Sequence, residues 1–193
     1  MLKCYLIRHS MTYGNTLKRY IGITDESLCP EGIQLLKGKE YPRCERLYAS
    51  PLKRCIETAE IIYPGQEMIL VPELGECNFG EFENKNYMEL SDNPNYQRWI
   101  DSNGMLPFPG GESREDFQKR SVEGFRKLVH NCIKEHISSA AFVVHGGTIM
   151  SIMEVFARPH RSYYECQINN GEGFELELYS DEMVNYWKLF SMK

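Results

Sequence analysis

Two histidines in this chain stand where an apolar segment ends. His9 follows Arg8 directly after the apolar segment 3–7, and His145 follows the apolar segment 141–144. Each segment predicts a short buried strand, and in open α/β sheets ligands bind beyond the carboxyl ends of such strands. We therefore expect both imidazoles to lie in one pocket, beside the Arg8 guanidinium, where they could bind and attack an anion.

Phosphate is the anion that this set of side chains suits best. Arginine donates to phosphate oxygens in a bidentate manner, and Arg54 adds a second guanidinium near the start of a predicted helix, where an anion is also favoured. A neutral imidazole can attack phosphorus if its other nitrogen donates to a fixed acceptor such as a backbone carbonyl. Two nearby arginines would disfavour protonation of His9, so we expect this ring to act as the nucleophile.

Four further residues are candidates for the same chemistry. His145 could stabilise charge on the transferring oxygens, which is a large effect in phosphoryl transfer. Glu76 begins a loop after a predicted strand and is the candidate general acid, because a leaving alkoxide needs a proton. Thr12 and Asn15, in the first loop, could add neutral donors to the anion.

Apolar and amphipathic segments alternate along the chain, which predicts α/β architecture with a mostly parallel sheet and helices on both faces. Strands are predicted at 3–7, 46–50, 68–72 and 141–144, and helices at 31–39, 50–63, 113–136 and 148–157. Ser50 with Pro51, and Ser113 with Asp116, are typical helix starts, the second resembling a capping box. We expect one three-layer domain spanning residues 1–193.

Two regions are less regular. Residues 74–111 are rich in turn-forming residues, and only a helix within 87–100 is predicted there. The tail, 163–193, is predicted to be antiparallel, because 174–178 alternates in polarity and Asn170-Gly171 is a turn signal. Cys55 and Cys77 adjoin candidate residues, but sequence neighbours point to different sides, so we expect both to pack in the core.

The bulk composition narrows the functional classes. A formal net charge of -5 argues against a nucleic-acid partner. No apolar stretch is long enough to span a bilayer and no signal peptide is evident, so we expect no membrane partner and a cytoplasmic location. Seven cysteines without a C-x-x-C pair indicate reduced thiols, and we expect neither a metal site nor a cofactor. Nothing in the sequence indicates the oligomeric state.

Six blocks of sequence stand in order between Arg8 and Gly147. They are Arg8-His9-Ser10-Met11-Thr12 with Asn15; Gly22, Asp25, Leu28, Gly32 and Gln34; Ser50 to Ala59; Leu74 to Glu83; Pro109 to Ser113; and His145-Gly146-Gly147. Together they resemble the motifs of the histidine phosphatase superfamily, the phosphoglycerate mutase-like proteins.

That resemblance implies a metal-independent phosphomonoesterase with the phosphoglycerate mutase-like fold. It implies that His9 becomes phosphohistidine while Glu76 protonates the leaving alcohol and later activates a water. Arg8, Arg54 and His145 would hold the phosphoryl oxygens, and the further substrate-binding candidates are Thr12, Asn15, Gly22 and Gly146. The substrate would be a small phosphorylated metabolite. The Pro109–Ser113 block and the compact length favour the phosphatase branch, including α-ribazole and broad-specificity phosphatases.

Two other functions remain open on the sequence. A cofactor-dependent phosphoglycerate mutase would retain its phosphohistidine, and a phospho-ligand binder would lack turnover. The family has glycine where this chain has Ser10, and if that position needs a positive φ, serine costs about 1–2 kcal/mol. Ser10 could instead contribute a hydroxyl to the pocket.

Overall fold

The computed structural model describes residues 1–180 and 183–190, with side chains as far as Leu178. Its centre is a six-stranded sheet in the order β3-β2-β4-β1-β5-β6. The strands are β1 (Leu2–Arg8), β2 (Arg46–Ala49), β3 (Met68–Leu70), β4 (Ser139–Val144), β5 (Gly173–Ser180) and β6 (Met183–Phe190). The first four run parallel to one another, whereas β5 is antiparallel to both β1 and β6, which confirms a mostly parallel α/β sheet.

Helices cover both faces of this sheet, as predicted. They are α1 (Tyr13–Thr16), α2 (Pro30–Leu36), α3 (Lys53–Ile62), α4 (Pro94–Asp101), α5 (Arg114–Lys134) and α6 (Gly146–Phe156). Alternate residues of β1 point to opposite faces: Leu6 packs in the core cluster with α5 and α6, and Ile7 packs in the cluster with α3. None of the described helices combines the length and apolar character needed to cross a membrane.

The start of α3 differs from the sequence expectation. We predicted that Ser50 would cap this helix with Pro51 in its first turn, but α3 begins at Lys53, and Leu52, which precedes it, makes no side-chain cap. Ser50 is fully buried, and its hydroxyl bonds to His145 Nε2 at 2.7 Å. The hydroxyl is therefore used by the neighbouring strand tip rather than by the helix.

The start of α5 matches the prediction in part. Ser113 caps the helix through a bond from the Asp116 N–H to its Oγ at 3.0 Å. Its hydroxyl donates to the Asp116 carboxylate at 2.7 Å. In a capping box this carboxylate would instead accept from the backbone N–H of Ser113. The predicted helix within 87–100 begins only at Pro94, because a residue before proline is disfavoured in the helical conformation.

The tail is antiparallel only in part. Residues Tyr163–Cys166 form a 3₁₀ turn, whereas Gly173–Ser180 pairs with β1 in the predicted antiparallel manner. Phe174, Leu176 and Leu178 are buried on one face, in agreement with the alternation. Residues 181–182 and 191–193 of the predicted tail lie outside the described residues, so the prediction of one domain to residue 193 is not tested there.

Candidate active site

The strand order brings the two sequence-predicted histidines together. β1 and β4 are parallel neighbours with Arg8 opposite Val144, so the residues that follow them lie side by side. The His9 N–H donates to the Val144 carbonyl at 2.9 Å, and the ring centroids of His9 and His145 are 5.2 Å apart. His9 is 4% exposed and His145 is fully buried. The pairing expected from the two apolar segments is present.

The environment of His9 sets both its tautomer and its charge. Nδ1 lies 2.7 Å from the Ser10 carbonyl oxygen, so Nδ1 carries the proton and donates, and the lone pair resides on Nε2. Burial lowers the pKa of His9 well below its usual value, and the charges of Arg54 and Arg8 lower it further. The ring is therefore neutral with a fixed orientation, which is the state a nitrogen nucleophile requires.

Arg54 reaches the same place from the first turn of α3. It is fully buried, and its Nη atoms donate to the carbonyls of Thr24 at 2.8 Å and Gly22 at 2.8 Å, with a longer bond to the Ile21 carbonyl. Carbonyl oxygens fix the direction of the guanidinium without neutralising its charge. A buried, unneutralised cation is costly unless an anion joins it.

Arg8, like Arg54, lacks an anionic partner among the described residues. Its Nη1 donates to the Ile168 carbonyl at 2.6 Å, and within the described residues neither Arg8 nor Arg54 forms an ion pair. The Nε atoms of both arginines are buried without a hydrogen-bond partner, and they are two of four such side-chain atoms among the residues described. Buried donors of this kind call for a ligand acceptor.

His145 is held by two residues that the sequence reasoning did not place in the site. Its Nε2 bonds to the Ser50 hydroxyl, and the Cys55 Sγ lies 3.5 Å from the same nitrogen. Burial is the main cause that lowers the pKa of His145 well below its usual value, followed by the charge of Arg54. Cys55 does pack in the core, as predicted, but it also contacts the site. Ser50, like His9 and His145, stands where an apolar strand segment ends, and this pattern was the sequence signal that could have placed it here.

Glu76 lies against the start of α6. Its Oε1 accepts from the Cys77 N–H and its Oε2 from the Gly147 N–H, both at 3.0 Å. A Cβ at position 147 would lie 2.5 Å from Glu76 Oε1, so glycine is required for this approach. Burial raises the pKa of Glu76, although these two hydrogen bonds and the charges of Arg54 and Arg8 oppose the shift. A raised pKa suits a carboxyl group that must donate a proton.

An ion pair between Arg120 and Glu112, missed by the sequence reasoning, holds the loop that carries Glu76. Arg120 Nε and Nη2 donate to the two Glu112 carboxylate oxygens at 3.0 and 2.9 Å. Arg120 Nη1 also donates to the carbonyls of Glu73 and Gly75. Glu112 Oε2 accepts from the Asn78 N–H at 3.0 Å. The backbone on both sides of Glu76 is thus attached to one charged pair.

Thr12 and Asn15 make different hydrogen bonds in the structure. Thr12 is fully buried, and its Oγ1 caps α1 by accepting from the Asn15 N–H, so it positions Asn15. Asn15 accepts through Oδ1 from the Thr12 N–H and, at 3.4 Å, from the Asn170 amide. Asn170 also donates to the His9 carbonyl at 2.9 Å, which links Asn15 to the backbone of His9.

The two predicted glycines also differ. The Gly22 N–H donates to Glu83 Oε2 at 3.1 Å and its carbonyl accepts from Arg54, so Gly22 orients Arg54 and has no N–H left for a substrate. Gly146 is the first residue of α6, whose N–H has no acceptor within the helix. A Cβ at Gly146 would lie 3.4 Å from Arg8 Nε, which places this helix end beside the unpartnered donor.

Serine at position 10 causes no backbone strain. Ser10 is absent from the residues with positive φ, so the cost considered above does not arise. Its Oγ donates to the Gly32 carbonyl at 2.7 Å and its N–H donates to Thr58 Oγ1 at 3.0 Å. The hydroxyl therefore ties the His9 loop to α2 and does not donate into the pocket, while the backbone N–H ties the loop to α3.

A cavity of about 930 Å³ opens next to the site, and His9, Arg54 and His145 are not among the residues that line it. Arg8, Glu76, Gly146 and Gly147 lie on its wall, and the rest of the wall is formed largely by the 77–117 region and by residues 163–172. Among the residues the structure describes, no group of three His, Cys, Asp or Glu side chains is placed to hold a metal ion.

Comparisons with known proteins agree with this architecture. The family model of the histidine phosphatase superfamily (branch 1) matches residues 4–187. Phosphoserine phosphatase 1 of Hydrogenobacter thermophilus is 29% identical over 152 residues, covering 75% of this chain and 70% of that protein. The adenosylcobalamin/alpha-ribazole phosphatase of Escherichia coli is 25% identical over 183 residues, covering 88% and 87%.

A solved structure shows the same fold. The crystal structure of phosphoglycerate mutase from Thermus thermophilus superposes with a TM-score of 0.72 at 26% identity. The match covers 98% of this chain and 100% of that chain. With its fold, its ordered motifs and its family-model match in agreement, the chain belongs to branch 1 of the histidine phosphatase superfamily.

Proposed function

We propose that this protein is a metal-independent phosphomonoesterase that works through a phosphohistidine on His9. The observation that carries the proposal is the pair of buried, unpartnered Nε donors on Arg8 and Arg54 beside a neutral imidazole. A dianionic phosphoryl group would supply both the missing acceptors and the missing negative charge.

In the first half-reaction, His9 Nε2 attacks phosphorus and the ester P–O bond breaks. Arg8, Arg54, His145 and the Gly146 N–H hold the phosphoryl oxygens, assisted by the Asn15 amide. Glu76, protonated in the free enzyme, gives its proton to the departing alcohol oxygen. Proton donation of this kind contributes about 10²–10⁴-fold to rate.

In the second half-reaction, water attacks the phosphohistidine. Glu76 is now a carboxylate and takes a proton from this water, the P–N bond breaks, and inorganic phosphate leaves. His9 returns to its neutral form with Nδ1 still donating to the Ser10 carbonyl, so the cycle needs no external proton carrier.

The named relatives support a phosphatase. A mutase is the second candidate, because a structure titled phosphoglycerate mutase is matched along its whole chain. Chain length therefore does not separate the two activities, contrary to the expectation from sequence. A mutase would need to keep the phosphoryl group on His9 while its substrate reorients.

The decisive experiment traps the intermediate. The protein is mixed with a ³²P-labelled phosphomonoester, quenched in base, where phosphohistidine survives, and mapped by mass spectrometry. We expect the label on His9 and none in the His9→Asn variant. Label on another residue, or full phosphate release by His9→Asn, would refute the mechanism.

A parallel assay separates the alternatives. With 3-phosphoglycerate as substrate, we expect phosphate release to exceed formation of the 2-phospho isomer. Faster isomerisation would establish a mutase. Tight phosphate binding without turnover of any monoester would establish a binding protein.

A further inference from the structure

The cavity beside the candidate phosphate site has a wall built from aromatic rings. Five of its lining residues are Tyr20, Phe79, Trp99, Phe108 and Phe117. We propose that the alcohol released from the substrate carries a flat, largely apolar ring that packs on this wall. This inference rests on the proposed function, since it names the substrate class of the same site.

The wall is preformed by ring-to-ring packing. Phe79 meets Phe108 edge-to-face with centroids 5.0 Å apart, and Trp99 stacks on Phe108 at 5.1 Å. Tyr20 packs on Phe79 at 5.4 Å. Ring-to-ring contacts hold these side chains in place, so a ligand ring can pack on the parts that line the cavity without reordering them.

The wall shares its cavity with Arg8 and Glu76, two of the candidate catalytic residues. Glu76, which would protonate the ester oxygen, lines the same 930 Å³ cavity as Phe79 and Phe117. That volume is near the upper end of the roughly 300–1,000 Å³ typical of pockets for drug-sized ligands. A two- or three-carbon alcohol would leave most of this aromatic surface in contact with water.

The charges around the cavity argue against a small acidic alcohol. Arg8, one of the lining cations, belongs to the candidate phosphate site. Arg114, the other, has its guanidinium carbon 4.4 Å from the Tyr163 ring centroid, and its Nη2 lies 3.9 Å from Glu154 Oε1. Glu172 also lines the cavity, so a carboxylate on the substrate would meet an acidic side chain there.

A matched pair of substrates tests the proposal. 3-Phenylpropyl phosphate and propyl phosphate release similar primary alcohols and differ only by the ring. We expect kcat/KM to be about tenfold or more higher for the phenyl compound, because its ring is removed from water on the wall. Equal or lower kcat/KM for the phenyl compound, or a higher value for phosphoserine, would overturn the inference. The absence of turnover with all three would instead count against the proposed function.

A variant locates the effect. Phe79→Leu keeps an apolar side chain but removes a ring, and should lower kcat/KM for 3-phenylpropyl phosphate about 3- to 10-fold. Propyl phosphate should change less than about twofold, since it does not reach the wall. Tyr87→Leu is the matched control, because Tyr87 is an exposed aromatic of the same region that does not line the cavity. An equal loss on both substrates, or no loss on either, contradicts the assignment.

Discussion

At the scale of single residues, His9 and Glu76 owe their proposed roles to burial, which shifts their pKa values in opposite directions. Burial disfavours the cationic imidazole and the anionic carboxylate alike, so it lowers the pKa of His9 and raises that of Glu76. Both shifts favour the neutral forms, an unprotonated imidazole and a protonated carboxyl group. This pairing is what phosphoryl transfer from an alkyl ester requires.

The pH dependence of kcat/KM should follow from these two directions. The acidic limb belongs to His9 and lies below the usual histidine pKa of 6.5, because activity is lost only when the ring is protonated. The basic limb belongs to Glu76 and lies above the usual value of 4.5, because activity is lost when the acid ionises. A rate profile over pH 4–9 checks both. An acidic limb above 6.5 would contradict the role of His9.

Glu76→Gln should separate substrates by their leaving groups. Glutamine cannot give up a proton, so hydrolysis of an alkyl phosphate should fall about 10²–10⁴-fold. Formation of the phosphohistidine from 4-nitrophenyl phosphate should fall much less, because that phenolate leaves without a proton. Burst kinetics with each ester measure this step. Glu73→Gln is the control, since Glu73 is exposed on the same loop. Equal losses on both esters would remove Glu76 as the acid.

At the scale of elements, strand tips supply the histidines, and a helix supplies the support for the acid. Arg120 belongs to the second turn of α5, yet it bonds to carbonyls of the loop that carries Glu76. The same helix begins at Arg114, which lines the cavity. Movement of α5 would therefore displace the acid and the leaving-group pocket together.

Arg120→Lys should impair proton donation more than folding. A lysine has no planar fork, so it cannot pair with both Glu112 oxygens and still reach the two carbonyls. We expect kcat for an alkyl phosphate to fall about tenfold, with a smaller loss for 4-nitrophenyl phosphate, because the defect acts through Glu76. Arg126→Lys, an exposed substitution on the same helix, is the matched control. An equal loss on both esters, with a lowered Tm, would indicate a structural role alone.

At the scale of the whole molecule, the site gathers ionisable groups whose burial is unfavourable for the stability of the fold. Two buried histidines lie at the edge of the sheet with the buried Arg54, the partly buried Arg8 and the partly buried carboxyl group of Glu76. Within the described residues, neither arginine forms an ion pair. The surrounding core offsets the cost of this arrangement, as expected where function and stability compete. The free energy of unfolding of the protein should therefore depend on pH and on phosphate.

The free energy of unfolding should fall as the pH drops below 6.5. The unfolded chain then binds protons at His9 and His145, whereas the folded protein, with both pKa values lowered, does not. Each histidine contributes up to about 1.4 kcal/mol per pH unit in this window, and stability is fully present above it. Glu76 acts oppositely, since its raised pKa removes stability as the pH rises above 4.5.

Urea unfolding at pH 7.5, 6.5 and 5.5 measures this dependence. His145→Asn should weaken it by as much as about 1.4 kcal/mol per pH unit, because one of the two buried histidines is gone. His136→Asn is the control, since His136 follows α5 at an exposed position. A His145→Asn slope equal to that of the wild type would show that His145 takes up its proton in the folded state.

Much of this arrangement could be predicted from the sequence because its signals are local. An apolar run ending in Arg8-His9, a second ending in His145, and the alternation of strand and helix follow from the side chains of neighbouring residues. Parallel strands then bring their carboxyl ends to one edge, so both histidines could be expected there. Arg54, near the start of a predicted helix, and Glu76, after a predicted strand, were candidates on the same local grounds, and the structure places both at the same edge.

Only the tertiary structure decided the partners of these groups. Arg54 and Arg120 bond chiefly to backbone carbonyls, which every residue carries and which leave no mark in a sequence. Ser50 looked like a helix cap because its local pattern is the same whether its hydroxyl bonds α3 or a histidine 95 positions away. The aromatic wall likewise depends on long-range packing of irregular segments, which periodicity does not encode.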